Sequence, residues 1–106
     1  MPKFLMQASY TAEGLKGLQK DKASGRKVAI TAAVEASGGK VEALYYCFGD
    51  YDIVGIIDAP DNASVSAFAI AAAATGLVKP VTTPLLTVEE VDRAIGMAPA
   101  YRAPGR

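Results

Sequence analysis

The stretch Phe48-Gly49-Asp50-Tyr51-Asp52-Ile53-Val54 decides the fold. Apolar β-formers lie on both sides of a Gly-Asp pair, which is the pattern of two strands joined by a tight hairpin. Glycine first is what a type II′ turn requires, because that position has φ > 0. The two strands then cover residues 40–48 and 51–59. With Phe48 opposite Tyr51, one face holds Glu42, Leu44, Tyr46, Phe48, Tyr51, Ile53, Gly55 and Ile57. The other holds Val41, Ala43, Tyr45, Cys47, Asp52, Val54, Ile56 and Asp58. A hairpin with one wet face alternates cleanly between apolar and polar. This one is mainly apolar on both faces, so both are expected to be covered.

Upstream, Phe4, Met6, Ala8 and Tyr10 alternate with Leu5, Gln7 and Ser9, the period of a strand. Thr11 can cap a helix from Ala12, with Glu13 in its positive first turn. The segment 21–25 predicts a kink. Beyond it Val28, Ile30, Ala33 and Val34 form an inward stripe, and Gly38-Gly39 closes the helix. Downstream, Pro60-Asp61-Asn62 ends the hairpin and opens a second helix with body 63–75, closed by Gly76. Its inward stripe is Val65, Phe68, Ala69 and Ala72. Ala67, Ile70, Ala71 and Ala74 lie away from that stripe and are apolar too. A helix apolar nearly all round is buried on more than one side, and in so small a domain the second side is expected to be another subunit. The last strand spans 77–86. Pro80 and Pro84 share parity, so both missing N–H groups face one way, which predicts an edge strand. Thr87-Val88-Glu89-Glu90 is a capping box that opens a short helix to about Ile95.

The order β-α-β-β-α-β plus a helix is the ferredoxin-like split βαβ arrangement, an α+β fold. Two helices cover one sheet face and leave an apolar face bare, so a sheet-to-sheet homodimer of the dimeric α/β barrel type is expected, with higher homo-oligomers through the Ala-rich helix. The 106 residues make one domain, 1–96, with a C-terminal tail, 97–106. Lys+Arg and Asp+Glu are both 11, and a neutral chain without a basic cluster argues against nucleic acid as partner. No run reaches the roughly 18 apolar residues of a membrane span. One cysteine leaves no internal disulfide, which fits a reducing cytoplasm.

Several blocks resemble one family of small bacterial proteins. They are Lys3-Phe4-Leu5-Met6-Gln7-Ala8-Ser9-Tyr10-Thr11, the Gly-Gly before the second strand, Phe48-Gly49-Asp50-Tyr51-Asp52, and Thr82-Thr83-Pro84-Leu85-Leu86-Thr87. In this order they resemble the GYD-domain proteins, named for the element formed here by Gly49, Tyr51 and Asp52, and the likeness covers roughly residues 1–95. It implies a ferredoxin-like relative of the dimeric α/β barrels whose biochemical role is uncharacterised. A weaker resemblance, to the effector domains of leucine-responsive-type regulators, implies ligand sensing at most, since the chain has no helix-turn-helix.

The chain has no histidine, which removes the commonest general base and metal ligand. No metal or other cofactor is expected, and there is no Gly-rich phosphate loop around Gly14 and Gly17. Tyr51 and Asp52 read first as hairpin residues, the carboxylate accepting turn N–H groups, and second as a base or ligand contact. Gln7 and Ser9 would share the open sheet face with Tyr45, Cys47 and Asp52, bonding across strands or lining a small-molecule pocket. Cys47 reads as a small buried hydrophobe, and Lys16, Lys20, Lys22, Arg26 and Lys27 as a solvated face. Three functions follow. The first is an oligomeric small-ligand-binding or regulatory domain with its pocket on the open sheet face, lined by Gln7, Ser9, Tyr45, Tyr51 and Asp52. The second is a cofactor-free dimeric-barrel enzyme (oxygenase, isomerase or cyclase) with Asp52 as base and Tyr45 or Tyr46 orienting substrate. The third is a scaffold with no pocket.

Overall fold

Seven elements follow one another in a computed structural model that describes residues 1–106. They are β1 (Lys3–Tyr10), α1 (Ala12–Ala36), β2 (Lys40–Tyr46), β3 (Ile53–Asp58), α2 (Asn62–Ala74), β4 (Val78–Leu85) and α3 (Val88–Met97). The strands form one antiparallel sheet in the order β2-β3-β1-β4. This is the expected ferredoxin-like α+β fold with an added C-terminal helix. β4 is an edge strand, as its two prolines require.

Each helix starts where a side chain can satisfy its free N–H groups. Gly14 N–H donates to Thr11 Oγ1 (3.1 Å) and Ser64 N–H to Asp61 Oδ1 (2.8 Å). In the capping box, Glu90 N–H donates to Thr87 Oγ1 (3.0 Å) and Thr87 N–H to Glu90 Oε1 (2.9 Å). α1 ends in a Schellman motif. Gly39 N–H donates to Val34 O (3.0 Å) and Gly38 N–H to Glu35 O (2.9 Å), with Gly38 at φ +86°. Gly14 has a different reason to be glycine: an added Cβ would lie 2.0 Å from the Leu77 carbonyl oxygen. That carbonyl also accepts Thr11 N–H (3.0 Å), locking the start of α1 to the start of β4.

Four local expectations need correction. The hairpin is not a two-residue turn. Its strands stop at Tyr46 and restart at Ile53, and the left-handed residue is Phe48 (φ +50°) rather than Gly49. Asp52 bridges both sides at the end of the loop: its N–H donates to Ala8 O (2.8 Å) on β1 and its carbonyl accepts Cys47 N–H (2.9 Å), one residue beyond β2. Second, a bulge lies between Val41 and Ala43. It turns Val41 to the helix side and Glu42 outward, where Glu42 accepts from Lys3 Nζ (3.1 Å). Third, Val28 is exposed rather than inward. Val28 and Ile30 are separated by about 200° of helix rotation and cannot share a face; α1 does kink within the expected segment, at Lys22 (φ 66°, ψ 164°). Fourth, Ala71 lies on the inner side of α2. The Lys22 conformation belongs almost only to glycine and costs about 1–3 kcal/mol.

The core is small. Phe4, Met6, Val34, Ile57, Ala59 and Val65 cluster between the sheet and the helices, with Ile30, Val41, Phe68 and Ala69 against them. Only nine of the 106 residues are buried, fewer than so apolar a composition would supply. α3 adds nothing to that core. It carries Val88, Val91 and Ile95 on one side, all exposed, and buries no residue. The radius of gyration is accordingly 16.9 Å, against about 13 Å for a compact chain of 100 residues.

Candidate functional site

Side chains on a strand alternate between faces, so the register assigns every residue of the sheet. On the open face one row runs Tyr45, Val54, Gln7, Val81 across the four strands, and the next runs Ala43, Ile56, Leu5, Thr83. Gln7 and Tyr45 therefore share a row with Val54 between them, about 10 Å apart at the usual strand spacing. Tyr45 is 69% exposed. Charge is confined to the ends of this face. Lys3 Nζ bonds Asp58 Oδ1 (2.8 Å) and Glu42 Oε2 at one end, and Lys79 pairs in register with Ser9 near the other. The hydrogen bond to Asp58, then that to Glu42, raises the Lys3 pKa.

Ser9, Tyr51 and Asp52 gather instead at the hairpin end. Tyr10 N–H donates to Asp52 Oδ2 (2.7 Å), the Asp52 N–H donates to Ala8 O, and its carbonyl accepts Cys47 N–H (2.9 Å). Both the backbone and the carboxylate of Asp52 thus fasten the hairpin to β1. The Ser9 hydroxyl donates to Asp50 O (3.4 Å). Cys47 is exposed rather than buried, and its thiol donates to Tyr51 O (3.2 Å).

A cavity of about 230 Å³ lies on the opposite side, between the sheet and the two helices. It is open to solvent in part and lined by 17 residues, of which 14 are hydrophobic. Its floor is Met6, Ala8, Leu44, Ile53, Gly55 and Ile57, and its walls include Ala29, Ile30 and Ala33 of α1 and Phe68, Ala71 and Ala72 of α2. Small residues explain the space. Gly55 at the centre of the sheet faces alanines on both helices, so no side chain is long enough to fill the gap. The kink at Lys22 sets the course of the α1 segment that forms one wall.

One end of the cavity is polar. Arg26 is the only charged residue among those lining it, and Tyr10 brings a hydroxyl. Tyr46 lies alongside, with its hydroxyl buried and without a hydrogen-bond partner. Its approach to Tyr10 falls short of a formed bond. Burial first, then the Tyr10 hydroxyl, pushes the Tyr46 pKa up, and the charge of nearby Arg26 opposes the shift. An orphaned buried hydroxyl costs about 1–3 kcal/mol. Arg26 is not the solvated charge its neighbours in sequence suggest: it is half-buried, and its ion pair with Asp21 spans 3.6 Å, longer than a hydrogen bond. The sequence signal for this site was the alignment of Gly55 with the alanine positions of both helices. The bulge, which turns Val41 into the lining, hid it.

No three His, Cys, Asp or Glu side chains are grouped to hold a metal ion, and no helix is long and apolar enough to cross a membrane. The fold and the cavity define a small ferredoxin-like domain with one face of its sheet uncovered. More narrowly, the chain belongs to the GYD-domain family: the family model, described as GYD domain, matches residues 4–95. No curated protein matches the chain.

Proposed function

We propose that the domain is a homo-oligomeric, small-molecule-binding or regulatory unit. The observation that carries this reading is the 230 Å³ apolar cavity between sheet and helices, in a chain that otherwise buries few residues. Natural interiors are close-packed and leave few voids larger than a water molecule, so a mainly apolar space with a polar end supports a binding site, for a ligand smaller than those of the usual ~300–1,000 Å³ pockets. Self-association is supported by the open face. Its centre is Leu5, Val54, Ile56 and Val81, its charges sit at the ends, and the chain has no net charge to oppose a second copy. In such a pair Gln7, Ser9 and Tyr45 belong to the contact between copies. The enzyme reading has less support, because Asp52, its candidate base, already accepts Tyr10 N–H at 2.7 Å.

Native mass spectrometry of gently purified protein tests both halves. The expected species contains two or more chains and carries extra, dissociable mass. Ala72→Phe, which fills the cavity, should lose that mass and keep the chain number. A monomer overturns the association. An oligomer that carries no extra mass, and takes up none from a panel of small apolar compounds, overturns the binding.

A further inference from the structure

We infer that the cavity takes a small amphiphilic anion, an apolar body of about eight carbons ending in a carboxylate, whose head is received by Arg26 and Tyr10. The inference rests on the binding reading above and adds the ligand's chemistry and orientation.

The body follows from the lining. The floor and walls are aliphatic and aromatic carbon, and no Asp or Glu is among the lining residues. At roughly 30 Å³ of liquid volume per water-sized group, a space of 230 Å³ holds on the order of eight such groups. That is below the ~300–1,000 Å³ of sites for drug-sized molecules.

The head follows from two donors that line the cavity, Arg26 and Tyr10, backed by the buried hydroxyl of Tyr46. A guanidinium has five N–H donors and no acceptor. Arg26 has only the 3.6 Å contact with Asp21 to occupy it. The Tyr46 hydroxyl is buried with no partner at all, and buried polar groups of native proteins are nearly always bonded. Tyr10 lines the same end and lies against Tyr46. A cation with unused donors beside the Tyr10 hydroxyl calls for a group that only accepts. A carboxylate does this, and a guanidinium can hold it through two parallel bonds. A neutral alcohol of equal length would fill the apolar space equally well but would leave most of the Arg26 donors unused.

Octanoate and 1-octanol separate these effects. Methyl-labelled protein titrated with each should show shifts at Ile30, Ile53 and Ala72, not at Val54 or Val81 on the open face. Octanoate is expected to bind the wild type at least about tenfold more tightly than octanol, the value of one charge-assisted bond pair. Arg26→Gln should erase that difference by weakening octanoate, with a smaller effect on octanol. Tyr46→Phe should raise the melting temperature of the ligand-free protein, by removing the orphaned hydroxyl, and Tyr10→Phe should weaken octanoate more than octanol. Equal binding of octanol and octanoate to the wild type overturns the anionic head but leaves the cavity as a binding site. An octanoate preference that survives Arg26→Gln also overturns it. Absence of cavity shifts with either compound overturns the binding reading as well.

Discussion

The two faces of the sheet are built from the same kinds of residue and meet different fates. On the helix side, Phe4, Met6, Ile53 and Ile57 are buried. One position along, Leu5, Val54 and Ile56 are only half-buried and Val81 is exposed, because nothing in the chain lies over them. The covered face is incompletely filled, since small residues on both helices leave a cavity over it. The open face has no cover but carries its polar groups at the ends. The difference teaches that hydrophobicity alone does not say which face holds a ligand. The size of the facing side chains says more. Large residues on a flat face suit a second sheet, and small residues under helices leave room for a guest.

The sharpest test of this contrast uses neighbouring residues. Phe4 is 2% exposed, and Phe4→Ala should destabilise the fold by about 3–5 kcal/mol, read from urea unfolding. Leu5→Ala should cost much less in dilute protein. Its effect should grow with protein concentration, because anything that associates only in the native state adds stability by mass action. Equal losses at all concentrations would place both faces in the same core and end the contrast.

A charge on the open face comes next in size. Val54 lies between Tyr45 and Gln7 in the central row. Val54→Lys removes an apolar contact of about 2 kcal/mol and adds an ammonium to desolvate, so association should weaken by thirtyfold or more. Light scattering should show dissociation while the circular dichroism of the chain is retained. An oligomer that persists would assign association to another surface, such as the Ala67, Ile70 and Ala74 side of α2.

The legible part of this molecule was what repeats. Strand alternation, two caps, the capping box and the parity of two prolines specified the element order and the edge strand. The hairpin register from Tyr46 opposite Ile53 to Ala43 opposite Ile56 was legible as well, since it depends only on counting. The kink itself was legible in 21–25 and falls at Lys22. What stayed hidden were single-residue departures from periodicity. The bulge after Val41 exchanges two side chains between faces, and Asp52 bonds to Ala8 and Tyr10 on β1. The partners of Glu42 and Asp52 on β1 are distant in sequence, and no local window contains them. The cavity is hidden for the same reason, because it is a shortage of volume summed over four elements.

Lys22 offers a smaller, opposite effect. Its φ of 66° with ψ of 164° is a region that glycine enters without a Cβ penalty. Lys22→Gly should therefore stabilise the chain by about 1 kcal/mol, seen as a higher urea midpoint with an unchanged slope. A lower midpoint would mean that the lysine is not strained and that the kink is held by other contacts. It would also detach the wall of the cavity from the device that sets its course.

The smallest effect compares two helices with similar caps and unequal support. The Ser64 backbone N–H lowers the Asp61 pKa, and the Thr87 backbone N–H lowers that of Glu90. A depressed carboxyl contributes stability that is complete above its unfolded value and is lost as pH falls through its folded value. Both caps should therefore weaken only below about pH 4. α2 keeps Val65 in the core when its cap is protonated. α3 has ten residues and buries none of them, and a helix of that length is marginal alone in water. In dilute protein the amide resonances of α3 should lose helical shifts while those of α2 hold, and Thr87→Ala should reproduce that loss at neutral pH. If instead α3 resists acid as well as α2 does, its Val88, Val91 and Ile95 stripe is covered by a second chain, and the open sheet is not the only surface that brings copies together.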